Sequence, residues 1–308
     1  MPNTLHLSSA GRWKAIALRV AVGVGLAVAG AVGVLVWQLA TEPVVTRSGQ
    51  ETEDALDMEE TPFTAGVDYD GTPPAAWKIV LDRPLTPAEQ RRLAATVHPE
   101  DARDFLTSLG GRTLRYPAAF EGRSDLAQAY FGRDATVLHM DLFSKRKAPL
   151  TITWMEVVNL SCHAPTARTV VVFPPQGGAD YEGVLFDLAR PGAVPIITDE
   201  GSHQGQPYFG PRRIALGDGA SPGGLRVEAV TQGRSCTWEI KAKYRDAYQH
   251  FGSLTLKDGT KPFCAEAAPS RPGQLWYMDA SKPDGQQWVP CHVRPEEDTC
   301  REWRETRG

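Results

Sequence analysis

Gly219-Ala220-Ser221-Pro222-Gly223 spells G-x-S-x-G, the pattern of a nucleophile elbow. In an elbow the serine sits on a sharp strand-to-helix turn, where a histidine can take its proton. Here the Gly and Pro residues lead through a turn into an alternating run at Leu225, so a loop before a strand is expected instead. The histidines (His6, His98, His139, His163, His203, His250, His292) form no H-E-x-x-H or other metal spacing. His163 follows Cys162, and a Cys–His pair can generate a thiolate nucleophile; a bridged cysteine beside a surface histidine is the plainer expectation. Asp199-Glu200, with His203 and Asp187, could give oxygen ligands to a hard cation, against a solvated loop as the simpler reading. Lys145-Arg146-Lys147 could meet phosphate or anionic lipid, and reads more simply as a charged hairpin tip. Trp276, Tyr277, Trp288 and Trp303 could offer rings to a sugar, although buried aromatics are commoner. No catalytic, cofactor-binding or metal site is assigned, and the reading leans away from an enzyme.

The five cysteines are Cys162, Cys236, Cys264, Cys291 and Cys300. No C-x₂-C pair appears, which argues against zinc. Cys162 ends one strand-like run and Cys236 begins another, so a bridge between them is the first choice. Cys264 is expected to pair with Cys291 or Cys300. One cysteine is left over, free or bridging two chains.

What must position these residues begins with the N-terminus. Residues 20–40 carry no charge, and about 20 such residues cross a hydrocarbon core of roughly 30 Å as a helix. Trp13 and Trp37 flank the run, Arg12, Lys14 and Arg19 precede it, and the first acid is Glu42. The positive-inside rule then leaves residues 1–19 as a short cytoplasmic tail and sends the rest of the chain outward. A cleaved signal peptide shares the basic start, but its apolar core is shorter. Gly25, Ala29 and Gly33 share one helical face, which would let two copies meet as a weak homodimer; small residues filling a weakly hydrophobic anchor is the simpler expectation.

The 308-residue chain has a formal net charge of −4, no signature of a nucleic-acid binder. Nine of its 37 acids fall within 41–75 beside one base, Arg47, so that stretch is expected to be a disordered acidic stalk. Residues 76–133 read as a small α+β segment. Trp77 to Leu81 is a strand, Thr86-Pro87-Ala88-Glu89 a capping box, and His98-Pro99 a second helix start ended by Gly110-Gly111. A strand near Thr113 and a helix from Ser124 come next. Residues 134–308 read as β-rich, with alternation best in Trp238, Ile240, Ala242 and Tyr244 against Glu239, Lys241, Lys243 and Arg245. Gln232-Gly233 is expected to turn a hairpin into that strand, and two more strands should flank Pro283-Asp284-Gly285.

The expected fold is thus a single N-terminal transmembrane helix, then an exported α+β piece followed by a mainly-β sandwich or barrel-like domain with disulfides. The stretch 174–244, with PPQGG, GVLFDL, PYFG, IALG, PGGLRVEAV and SCTWEIKAKY, resembles uncharacterised single-pass membrane-anchored proteins of high-GC bacteria. That resemblance implies no activity. The functional expectation is a non-catalytic extracytoplasmic module in the cell membrane, binding an envelope protein or glycan. The alternatives are an envelope hydrolase with dispersed acidic residues and a scaffold subunit of a membrane complex.

Overall fold

A computed structural model describes residues 61–70, 74–120, 122–174, 183–199, 201–217, 219, 223–279, 281 and 288–307. The expected tail, membrane span, Gly25/Ala29/Gly33 face and first part of the stalk lie outside the described residues. Among the described residues no helix is long and apolar enough to cross a membrane.

The fold is mainly β, with 43% of the described residues in strands. In chain order the first elements are β1 (Thr64–Tyr69), β2 (Trp77–Leu81), α1 (Pro87–Ala95), α2 (Pro99–Ser108), β3 (Arg112–Leu114) and α3 (Ser124–Tyr130). Then come β4 (Asp134–Phe143), β5 (Leu150–His163), β6 (Thr169–Phe173), β7 (Val184–Asp187), β8 (Ile196–Ile197) and β9 (Ile214–Leu216). The last are β10 (Gly223–Thr231), β11 (Ser235–Asp246), β12 (Phe251–Leu256), β13 (Phe263–Ala265), β14 (Gln274–Met278), β15 (Trp288–Pro290) and α4 (Asp298–Arg307).

Among the described residues three sheets result. The first runs β1-β4-β10-β7-β8, the second β12-β11-β5-β9 with β13 also on β11, and the third β15-β14-β6-β2-β3. The first two sheets share one core. Leu138, Met140, Val227, Ala229 and Phe186 come from one, and Ile152, Met155, Val157, Trp238 and Ile240 from the other. Trp238 sits at its centre, with ring centroids 5.4 Å from Phe186 and 5.1 Å from Phe263. The outer face of the first sheet is covered near α3, where Phe120, Tyr130, Leu185 and Val230 cluster.

In the third sheet α1 and α2 cover one face through Leu93, Phe105 and Leu106 against Ile79 and Trp77. Trp303 of α4 packs on the other face with Val80 and Val172. Covered on both sides, β2 is buried throughout, which explains its unbroken apolar run Ile79-Val80-Leu81. The capping box at α1 forms as expected. Thr86 Oγ1 accepts from Glu89 N at 3.3 Å, and Glu89 Oε2 accepts from Thr86 N at 2.8 Å. After α2, Gly110 takes φ +84°, and Gly111 N donates to Leu106 O at 3.0 Å. A side chain at Gly111 would collide with that carbonyl, 2.7 Å from its Cβ position.

Four expectations need correction. Residues 64–69, expected in the stalk, form β1, which pairs antiparallel along β4 from Thr64↔Phe143 to Tyr69↔Leu138. The acids of the surrounding stretch hide its alternation, Ala65 and Val67 half-buried against exposed Gly66 and Asp68. The boundary at 133/134 does not separate two folding units, because β2 pairs with β6 from beyond it. A strand buried on both faces needs neighbours that 76–133 cannot supply alone. Strands β10 and β11 form no hairpin, since β10 pairs with β4 and β7 while β11 pairs with β5, β12 and β13. Their apolar rows face the same core from opposite sides, so Gly233, at φ +66°, carries the chain from one sheet to the other. The chain at Lys145-Arg146-Lys147 likewise crosses between sheets instead of closing a hairpin, and Arg146 is buried. The expected strands around 283–285 are present as the antiparallel pair β14–β15; the turn between them lies outside the described residues.

Candidate functional site

The second sheet turns one face to the core, and alternation turns the other to solvent. Along β11, Trp238, Ile240 and Ala242 are buried while Lys241, Lys243 and Arg245 point out. Register then sets their flanks. Lys241 lies between Glu156 of β5 and Thr255 of β12, Lys243 between Trp154 and Ser253, and Arg245 between Thr151 and Phe251. At roughly 3.4 Å per residue the three cations stand about 7 Å apart along the strand.

Two irregularities shape this face. Between Lys243 and Tyr244 the register shifts, with Trp154 and Ile152 as their β5 partners, so Thr153 is the extra residue. It moves Trp154 out of step with Ile152. Trp154 is half-buried and touches the rim of the core, and its Nε1 donates to Glu156 Oε2 at 3.4 Å. A second shift falls between Thr237 and Glu239, where Asn159 of β5 takes φ +50°. Asn159 Nδ2 donates to Glu239 Oε2 at 2.6 Å, and Lys257 Nζ lies 2.8 Å from Glu239 Oε1. The hydrogen bond from Lys257, then that from Asn159, holds the Glu239 carboxyl below its ordinary pKa. Gly252 is needed opposite Tyr244, whose ring would stand 2.3 Å from a Cβ there. Tyr244 thereby reaches Phe63, edge-on at 5.8 Å.

Cations and rings lie together on this surface. The Lys243 ammonium stands 5.9 Å from the Trp154 ring, and the Arg245 guanidinium 4.4 Å from the Phe251 ring. Phe251 is 73% exposed, and Tyr248 in the following turn is 39% exposed. Asp246, which accepts from Tyr248 N at 2.9 Å and His250 N at 2.8 Å, fixes that turn. Lys243 pairs loosely with Glu156 at 3.7 Å. Among the described residues neither Lys241 nor Arg245 has a salt-bridge partner. Such an array can stack on flat apolar rings and attract anions.

A smaller concavity lies at the far end of the same sheet. It is a cleft of about 140 Å³ lined by Arg112, His163, Cys264 and Glu266 among others, small beside typical ligand pockets of about 300 Å³ or more. Its charges are committed to each other. Arg112 makes two hydrogen bonds to Asp82, at 2.8 and 2.9 Å, and one to Glu266 at 2.7 Å. Arg112, with Thr166 behind it, lowers the Asp82 carboxyl to about 2.

Among the described residues, those singled out from sequence do not assemble into a catalytic group. Cys162 is bridged to Cys236, so it offers His163 no thiolate, and His163 Nδ1 instead lies 2.9 Å from Ala164 O. Asp199 is taken by Arg212 and Gly183 N, each at 2.6 Å. Asp187 is taken by Arg133 at 3.1 Å and Arg190 at 3.4 Å, and His203 lies 3.3 Å from Gln206. Glu200 and most of the G-x-S-x-G stretch lie outside the described residues; the stretch runs into strand β10, not into a helix. Among the described residues no group of three His, Cys, Asp or Glu side chains is placed to hold a metal ion. Trp276, Tyr277, Trp288 and Trp303 are all buried in the third sheet's two cores, so they offer no rings to a sugar.

The cysteines are half as expected. Cys162 and Cys236 are bridged. Cys264, expected to pair with Cys291 or Cys300, is instead exposed and free on β13, while Cys291 and Cys300 bridge each other. Cys264 pairs across the ladder with Thr237 at the edge of the second sheet, whereas Cys291 and Cys300 belong to a core of the third sheet. Sequence reasoning does not single out Trp154, Phe251 and Tyr248. The signal present is the spacing of Ile152, Met155 and Val157, three then two, which marks a bulge. The chain matches no protein-family pattern, no curated protein sequence and no solved structure.

Proposed function

We propose that this chain is an extracytoplasmic binding module, held in the cell membrane by residues 20–40, and that it works through the outer face of the second sheet. The observation that carries this reading is the open face of β5, β11 and β12, where the exposed Phe251 ring stands against Arg245, a cation without a carboxylate partner, with Lys241 on the same row. A sheet face of that composition, uncovered while the first sheet's outer face is packed, suits a surface ligand better than a buried substrate. The two disulfides support an oxidising compartment. The shared core of the first two sheets supports a β-sandwich as its frame, with the third sheet and its helices as an α+β flank. The test is retention of the full chain, kept in detergent, by cell envelopes stripped of lipid with the same detergent, so that residues 20–40 have no bilayer to enter. Phe251→Ala and Lys241→Gln/Arg245→Gln should each weaken retention, and unchanged retention in both would refute the assignment of this face.

A further inference from the structure

We infer that the ligand of this face is a linear, carboxylate-bearing glycan lying along β11, an inference that rests on the binding reading above. Lys241, Lys243 and Arg245 form a row of single positive charges about 7 Å apart along one strand. With Lys257 they outnumber the two carboxylates of the face, Glu156 and Glu239. Glu239 is fully engaged by Lys257 and Asn159, and Glu156 already receives Lys243 and the Trp154 indole. Lys241 and Arg245 are therefore the charges left for a ligand. Two single cations four residues apart, about 14 Å along the strand, match carboxylates spread along a polymer. A doubly charged phosphate is better served by clustered cations.

The rings add what a charge ladder lacks. Trp154 and Phe251 flank β11 on opposite sides, two strands and two residues apart, which places their Cα atoms about 12 Å from each other. That is the span of a few sugar rings, whose C–H faces stack on aromatic carbon. The Arg245 guanidinium lies on the Phe251 ring, which holds the cation in place with its N–H edge available to a carboxylate. Thr151, Ser253 and Thr255 supply hydroxyls between the charges, at positions directly opposite the three cations. The apolar share, two exposed rings and one half-buried, is too scattered for the dry centre of a protein interface.

The test uses full-length chain in detergent and polygalacturonate as the probe, with its methyl-esterified form as the uncharged control. Wild type should bind polygalacturonate, and bind the ester about tenfold more weakly. Lys241→Gln/Arg245→Gln should lose about tenfold, the worth of two solvent-exposed ion pairs. Phe251→Ala should weaken both polymers. Raising ionic strength should weaken only the charged probe. Equal binding of acid and ester, or no binding of either, would overturn this inference, as would tighter binding to DNA. If envelope retention still falls in the same variants, the binding reading survives that failure. Retention indifferent to the variants would sink both.

Discussion

Lys78 and Asp134, 56 residues apart, form a fully buried ion pair with Nζ 2.9 Å from Oδ1. It joins β2 of the third sheet to β4 of the first. Lys78 also donates to Gly132 O and Arg133 O, at 3.2 and 2.9 Å, and lies 4.1 Å from the Tyr116 ring centroid. Asp134 Oδ2 accepts from Ala268 N at 2.8 Å. Removing one partner strands a buried charge, which costs about 3–5 kcal/mol. Lys78→Met should therefore lower unfolding stability by that amount in urea. A loss under about 1 kcal/mol would show that the pair is not buried in the folded chain.

The bridge between Cys162 and Cys236 links residues directly opposite across β5 and β11, with Cα atoms 4.1 Å apart. It closes 74 residues, against 9 for Cys291–Cys300. On the chain-entropy argument the first stabilises by about 4 kcal/mol and the second by about 2.5 kcal/mol. Replacing Cys162 and Cys236 with Ser should destabilise more than replacing Cys291 and Cys300. A non-reducing peptide map should find these two bridges and alkylated Cys264. A bridge to Cys264 would contradict the structure.

Exposed and unpaired, Cys264 also reports topology. A membrane-impermeant maleimide should label it in intact spheroplasts if the chain after residue 40 lies outside. Labelling only after lysis would reverse the orientation.

Acid should weaken the third sheet's surface ties. The hydrogen bonds from Arg112 and then Thr166 lower Asp82 to about 2, and those from Arg83 and the Thr86 backbone lower Glu89 to about 2. Both carboxyls are ordinarily near 4 when unfolded. Folded values below unfolded ones mean that their stabilisation is present above about pH 4 and is lost as pH falls toward 2. Asp82 is half exposed, so solvent screens its share. In acid-unfolding curves Asp82→Asn and Glu89→Gln should each flatten the slope in that window. Slopes unchanged from wild type would contradict the pairing.

Much of this fold is legible in local chemistry. The capping box at Thr86 and Glu89 and the alternation from Trp238 to Ala242 need no tertiary information. What stays hidden depends on partners distant in sequence. Nothing local tells β11 to prefer β5 over β10, because both candidates present an apolar row. The bulge at Thr153 defeats a strict period of two and disguises Trp154 as a core residue. β1 is concealed by the acid-rich stretch it lies in, although Phe63 just before it is buried. The candidate face is half visible: its cations read as the wet side of a strand, while its rings come from β5 and β12, whose register only the sheet reveals.

If the outer face of the second sheet is the working surface, envelope binding must depend on its rings and unpaired cations. The decisive measurement is co-sedimentation of the full chain, in detergent, with detergent-stripped envelopes across a concentration series, wild type beside Phe251→Ala and Lys241→Gln/Arg245→Gln. All three side chains stand on the solvent side of their strands, so the thermal unfolding midpoint should stay within a few degrees of wild type. Wild type should bind saturably, and each variant about tenfold more weakly at unchanged stability. Equal affinity for all three proteins would contradict the assignment.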